Sequence, residues 1–158
     1  MSNDNFLNPV EMWNLAPGDI IMANGSLARV YSCSLDGTLS VQLIKPDDAE
    51  AFEIPYDSRV LSGDDIKMIG VVRLEKAMLL CNGFTENDII DDDTDEVTYD
   101  LIDDANNELF QLQGRKGSES LYFGMWSNSL DFEIAHIHEF QHLLRSCGQM
   151  RLANNFKV

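Results

Sequence analysis

Two dipeptides constrain the N-terminal half more than any other feature of the chain. Asn24-Gly25 and Asp36-Gly37 are residue pairs that reach positive φ cheaply at both central positions of a two-residue hairpin turn. Around them lie short runs alternating at period two. Ile20, Ile21 and Met22 come first, then Leu27, Arg29, Tyr31 and Cys33 against Ala28, Val30 and Ser32, then Leu39, Val41 and Leu43. Pro17-Gly18-Asp19 opens the series as a turn, Pro46-Asp47-Asp48 breaks it, and Ala51 to Pro55 and Ile66 to Val72 add further strands. Short strands joined by such turns predict a small, strongly bent sheet or an SH3-like barrel.

The pattern changes near Arg73. Leu74, Ala77, Met78, Leu79 and Cys81 fall at helical spacing, and Asn82-Gly83 ends that helix with residues that tolerate the left-handed conformation. Asn87 to Glu96 reads as an acidic loop. Val97–Ile102, Glu108–Gln113 and Ser120–Trp126 read as three strands, with turns at Asp103–Asn107 and Gly114–Gly117, which predicts an antiparallel meander. Ile134 to Cys147 reads as a terminal helix stopped at Gly148, and Gln149 to Val158 as a basic tail. The expected fold is therefore α+β, with a β-rich domain over residues 1–72 and a helix–meander–helix unit over residues 73–158.

A chain of 158 residues can bury a core without metal or disulfides. Cys33, Cys81 and Cys147 are odd in number and lack CxxC spacing, so they read as reduced, largely buried thiols. The opening MSNDNFLNPVEMW has neither the basic start nor the apolar run of a signal peptide, and no stretch has the length of a membrane span. The expected location is the cytoplasm. A net charge of −16 argues against direct contact with nucleic-acid phosphates. Such a charge first of all serves solubility; it also suits a basic protein partner, or a protein that imitates DNA.

Three phrases, Leu15-Ala16-Pro17-Gly18-Asp19, Leu74 to Phe84 (LEKAMLLCNGF) and Ile137 to Leu143 (IHEFQHL), together cover most of the element order. In that order the chain resembles a family of small uncharacterised proteins common in Bacteroidetes genomes, their phages and mobile elements. Those proteins open a barrel-like segment with L-x-x-G-[DN], end a helix in G-F, and write the terminal helix roughly as V-H-x-L-Q-N-L. The resemblance implies no activity. His138, Gln141 and Leu143 match the family phrase, whereas Glu139 and His142 depart from it or fall at its unspecified position, which points away from a shared metal chemistry.

The one string with chemical content is HEFQH at 138–142. In H-E-x-x-H, two histidines one helical turn apart ligate zinc and the glutamate activates the bound water, which would make His138 and His142 ligands and Glu139 the base. The third ligand is missing where the common architectures place it. Arg145 and Gly148 occupy the positions of the extended motif's glycine and histidine, and beyond His142 the chain has no Asp, Glu or His. At about 100° per residue, Ile137, Phe140, Leu144 and Cys147 gather on one face, so Phe140 is expected in the core and both imidazoles in water. Only 16 residues follow the motif, too few to wall a peptide cleft.

The run Asp91-Asp92-Asp93-Thr94-Asp95-Glu96 invites a calcium reading. It fails the EF-hand pattern, with Glu96 and Ile102 at the positions that need glycine and glutamate, and loose cation binding by loop 86–96 is the residual reading. Tyr122 and Trp126 share one face of their expected strand and form a candidate interaction surface. The sequence thus leads to a non-catalytic accessory or protein-interaction protein with a protein partner and no cofactor. A zinc-dependent hydrolase built on HEFQH and an acidic DNA-mimic inhibitor are the alternatives.

Overall fold

The computed structural model describes residues 14–36, 38–44, 60–88, 95–123 and 132–158. The chain is α+β, as its turn and period pattern requires, with two antiparallel sheets and a few helices. It divides into two compact units, Met1–Arg73 with His136–Asn155, and Leu74–Ala135 with Phe156–Val158. The break at residue 73 falls where the pattern changes. The terminal helix, expected with residues 73–158, groups instead with the first unit, because it packs on that unit's first strand.

In the first unit, strands β1 (Ile20–Ala23), β2 (Ser26–Cys33), β3 (Leu39–Leu43), β4 (Val60–Ser62) and β5 (Ile69–Gly70) lie in the order β4-β3-β2-β1-β5, all antiparallel. A single 3-10 turn, Gly63–Asp65, separates β4 from β5. Asn24 and Gly25 take φ of 49° and 81° at the β1–β2 hairpin, as its two-residue turn demands. The Asn24 side chain then ties the hairpin down, its Oδ1 accepting from the Lys67 and Met68 backbone N–H groups. Ile21, Ala23, Ala28, Val30, Leu39 and Val41 form the core together with Leu15. The register shifts between Val30 and Ser32, so Tyr31 is an extra residue and stands largely exposed. Gly37, residues 46–48 and residues 51–55, where a turn, a break and a strand were expected, lie outside the described residues.

Two helices complete this unit, α2 (Ile137–Ser146) and α3 (Met150–Asn154), after the helix α1 of the second unit given below. Ile134 is not helical, and α2 starts three residues later than its apolar pattern suggests. Gly148 ends it at φ 83°, as expected. The basic tail is ordered as α3. Ile20, on the opposite face of β1 from Ile21, is as fully buried as Ile21, and α2 is the element packed there.

The second unit holds α1 (Lys76–Cys81) and a meander of β6 (Thr85–Asp88), β7 (Glu96–Ile102), β8 (Glu108–Arg115), β9 (Leu121–Phe123) and β10 (Phe132–Glu133), each strand paired with the next. The first two expected strands are present, and the third is a strand over Leu121–Phe123, its residues 124–126 lying outside the described residues. β6 overturns the reading of Asn87 as loop: its polar TEND sequence pairs residue for residue with Val97–Asp100. Gly83 closes α1 at φ 88°. The core gathers Leu79, Phe84, Tyr99, Phe110, Leu112 and Leu121, with Phe84 edge-on to Phe110 at 6.3 Å and Phe110 stacked on Phe123 at 5.2 Å. Among the described residues no helix is long and apolar enough to cross a membrane.

Candidate functional site

The site lies in the first unit, where the chain enters β1 beneath α2. Ala16 to Asp19 form a tight turn in which Pro17 pre-sets the second position and Gly18 supplies φ 94° at the third, closed by the Asp19 N–H donating to Ala16 O at 3.0 Å. A β-carbon at Gly18 would stand 3.1 Å from Asn154 Oδ1 and 3.2 Å from Arg145 Nη2, so the position needs glycine for space as well as for conformation. The turn drives Asp19 inward, and its side chain is fully buried. Asp19 Oδ2 accepts from the Ala16 N–H at 2.8 Å and from His142 Nε2 at 2.6 Å, and Oδ1 accepts from Arg145 Nη1 at 2.6 Å. A buried carboxylate is tolerable only with partners of this kind.

Gln141 completes the joint. It is fully buried, accepts from the Ile20 N–H at 2.8 Å, and donates from Nε2 to Gly18 O at 2.8 Å and Ala153 O at 2.7 Å. One amide therefore satisfies backbone groups of β1, the entry turn and α3. The packing side of α2 is Ile137, Phe140 and Leu144, all fully buried, with Gln141 beside them and His138, His142 and Arg145 on the adjoining flank.

Each letter of HEFQH can now be placed. Phe140 is in the core, as expected. The imidazoles are not in water, which corrects the sequence reading: His138 is 7% exposed, and the His142 side chain is one-third exposed with Nε2 on Asp19. The entry turn engages His142 and Arg145 on the flank that the helical stripe left open. Glu139 turns back on the N-terminus of α2, accepting the His136 N–H at 3.2 Å and lying 3.2 Å from His136 Nδ1. That is the capping-box role of a glutamate at the third helical position.

The His138 and His142 rings meet edge-on with centroids 6.1 Å apart, and His136 stacks on His138 at 5.9 Å. Two imidazoles sharing zinc each place a nitrogen about 2.0–2.1 Å from the ion. Here His142 Nε2 is engaged by Asp19, and His138 Nδ1 is buried without a partner among the described residues. Among the described residues no three His, Cys, Asp or Glu side chains are grouped so as to hold a metal. Asn14, His138, Glu139 and His142 line a shallow recess of about 260 Å³. Burial pushes the pKa of His138 below its ordinary value, outweighing the attraction of Glu139 and Asp19.

Tyr122 lines a second recess, of about 430 Å³, in the second unit, together with Glu96, Gln113, Gly114, Arg115 and Ser118. Trp126 and the acidic residues 91–94 lie outside the described residues. Cys33, Cys81 and Cys147 are exposed rather than buried, because each sits at the end of an element and not within its apolar stripe. Their thiols are free, and partial burial beside Leu15 raises the pKa of Cys33.

The sequence reading missed Asp19, Gln141 and Arg145. Asp19 looked like a turn residue. Gln141 is four residues after Ile137 and three before Leu144, so it falls within the apolar stripe, and that placement marks a buried polar group. Comparison with protein-family models, curated proteins and solved structures finds no match to this chain.

Proposed function

We propose that the protein is a non-catalytic interaction protein that binds a basic protein partner, mainly through its second unit. The observation that carries the non-catalytic part is the use made of HEFQH. Glu139 caps α2, Gln141 pairs with three backbone groups, and His142 is held by Asp19. Side chains spent on holding a helix are not free to move protons or ligate a hydrolytic metal. The partner's chemistry follows from the charge. The second unit contains fifteen acidic residues and four basic ones, so most of the net −16 lies there.

We also propose membership of the Bacteroidetes and phage family that the sequence resembles. In support, two phrases behind that resemblance form one joint: Gln141 of the terminal phrase bonds Gly18 of the opening phrase and the residue that follows it. A cytoplasmic location accords with three exposed, unpaired thiols.

The test has two arms. Purified full-length protein, with and without added zinc, is assayed on peptide, ester and phosphate substrates. No saturable turnover is expected, and turnover abolished by His142→Ala overturns the non-catalytic part. Proteins that co-purify from its own cells are then rebound at rising salt. A basic partner is expected, with affinity that falls steeply with salt and again when Asp103, Asp104 and Glu108 are changed to lysine. Binding indifferent to salt and to those changes overturns the charge part.

A further inference from the structure

We propose that His138, set between His136 and His142, is a proton-operated latch that releases the start of α2 from the first sheet in acid. The three rings run in a row, 5.9 Å and then 6.1 Å between centroids. The outer two each face a carboxylate: His136 Nδ1 is 3.2 Å from Glu139 Oε2, and His142 Nε2 is 2.6 Å from Asp19 Oδ2. The middle one faces none among the described residues. His138 is 7% exposed, and its Nδ1 has no hydrogen-bond partner among the described residues.

A neutral imidazole with its proton on Nε2 leaves Nδ1 as a bare lone pair, which costs little to bury. An imidazolium carries protons on both nitrogens, and the one on Nδ1 would meet no acceptor. His138 is the second residue of α2, where unpaired backbone N–H groups and the positive end of the helix dipole already disfavour a cation.

Among the described residues, the charged and titratable groups around it are Asp19 from the entry turn, and His136, Glu139, His142 and Arg145 from α2 and its cap. Asp19 is shared between Arg145 and His142, and Glu139 is committed to His136. Neither carboxylate is available to a third imidazolium. A proton on His138 therefore meets no free counter-charge among the described residues. Once protonated, His138 is relieved only by leaving its pocket for water, and the first turn of α2 moves with it. Burial already holds its pKa below the usual 6.5, as this geometry requires. Gln141 is one turn further on, so release unpairs Ile20 and Gly18 and uncovers the apolar strip of Ile20, Ile137 and Phe140.

Hydrogen exchange of the full chain, corrected for the intrinsic pH dependence of amide exchange, tests the latch between about pH 7.5 and 5. Peptides covering 14–24 and 137–146 are expected to lose roughly tenfold or more in protection, while 96–115 in the second unit changes little. His138→Phe keeps a buried ring and should remove most of the pH response. An unchanged response in that variant overturns the proposal. Ring NMR of the wild-type protein gives an answer even where the variant fails to fold. A His138 titration midpoint below that of a free histidine supports the latch, and one above it overturns the proposal.

Discussion

Replacing Gln141 with leucine should unfasten α2 without changing its volume greatly. The native amide is fully buried and makes three bonds, to the Ile20 N–H, Gly18 O and Ala153 O, at 2.8, 2.8 and 2.7 Å. Gly18 O keeps a second donor, Arg29 Nη1 at 2.9 Å, so the loss falls on Ile20 and Ala153. A buried backbone group deprived of its partner costs about 1–3 kcal/mol. The apolar leucine returns about 1 kcal/mol of that through burial. For the two groups together the expected net loss is about 1–5 kcal/mol, a large part of the ~5–15 kcal/mol that stabilises an ordinary domain. At this chain length it should lower Tm by roughly 10 °C. Gln141→Glu, of equal size, sets a carboxylate against two carbonyl oxygens and should be at least as damaging at neutral pH. Urea unfolding followed by circular dichroism measures both. A leucine variant within about 0.5 kcal/mol of wild type would refute the reasoning, since no buried bond set of this kind can be lost so cheaply.

Other consequences follow from the same joint and from the second unit's core. Asp19→Asn should cost about 2–4 kcal/mol by leaving the mostly buried Arg145 guanidinium without its carboxylate, and adding Arg145→Met should recover part of the loss in a double-mutant cycle. Gly18→Ala should cost about 1–2 kcal/mol, through the positive φ and the crowding against Asn154 and Arg145, and a neutral result in thermal melts would contradict the turn geometry. Burial first, and then the hydrogen bond to Glu86, raise the pKa of Tyr99 above its ordinary 10. The unfolded chain then ionises first, so stability is lost as pH rises through 10. Alkaline absorbance titration should find one of the four tyrosines silent until unfolding.

The hairpin turns made the first sheet legible, because Asn24-Gly25 admits few alternatives and the inward residues Ala28, Val30 and Val41 follow at period two. β6 was hidden because Thr85–Asp88 carries no apolar alternation, and only its pairing with β7 makes it a strand. The terminal helix shows both outcomes. Its apolar stripe correctly buried Phe140, yet the stripe alone could not show that Asp19 of the entry turn would hold His142 and Arg145 on the neighbouring flank. That contact spans more than 120 residues of sequence, and no local period encodes it.

The central claim is that HEFQH fastens a helix. NMR of the His142 ring before and after addition of one equivalent of zinc tests it most directly. The account predicts that His142 Nε2 keeps its bond to Asp19, that neither the His138 nor the His142 ring shifts, and that metal stays sub-stoichiometric after dialysis. One zinc per chain, with both rings shifted and the Asp19 bond broken, would contradict it.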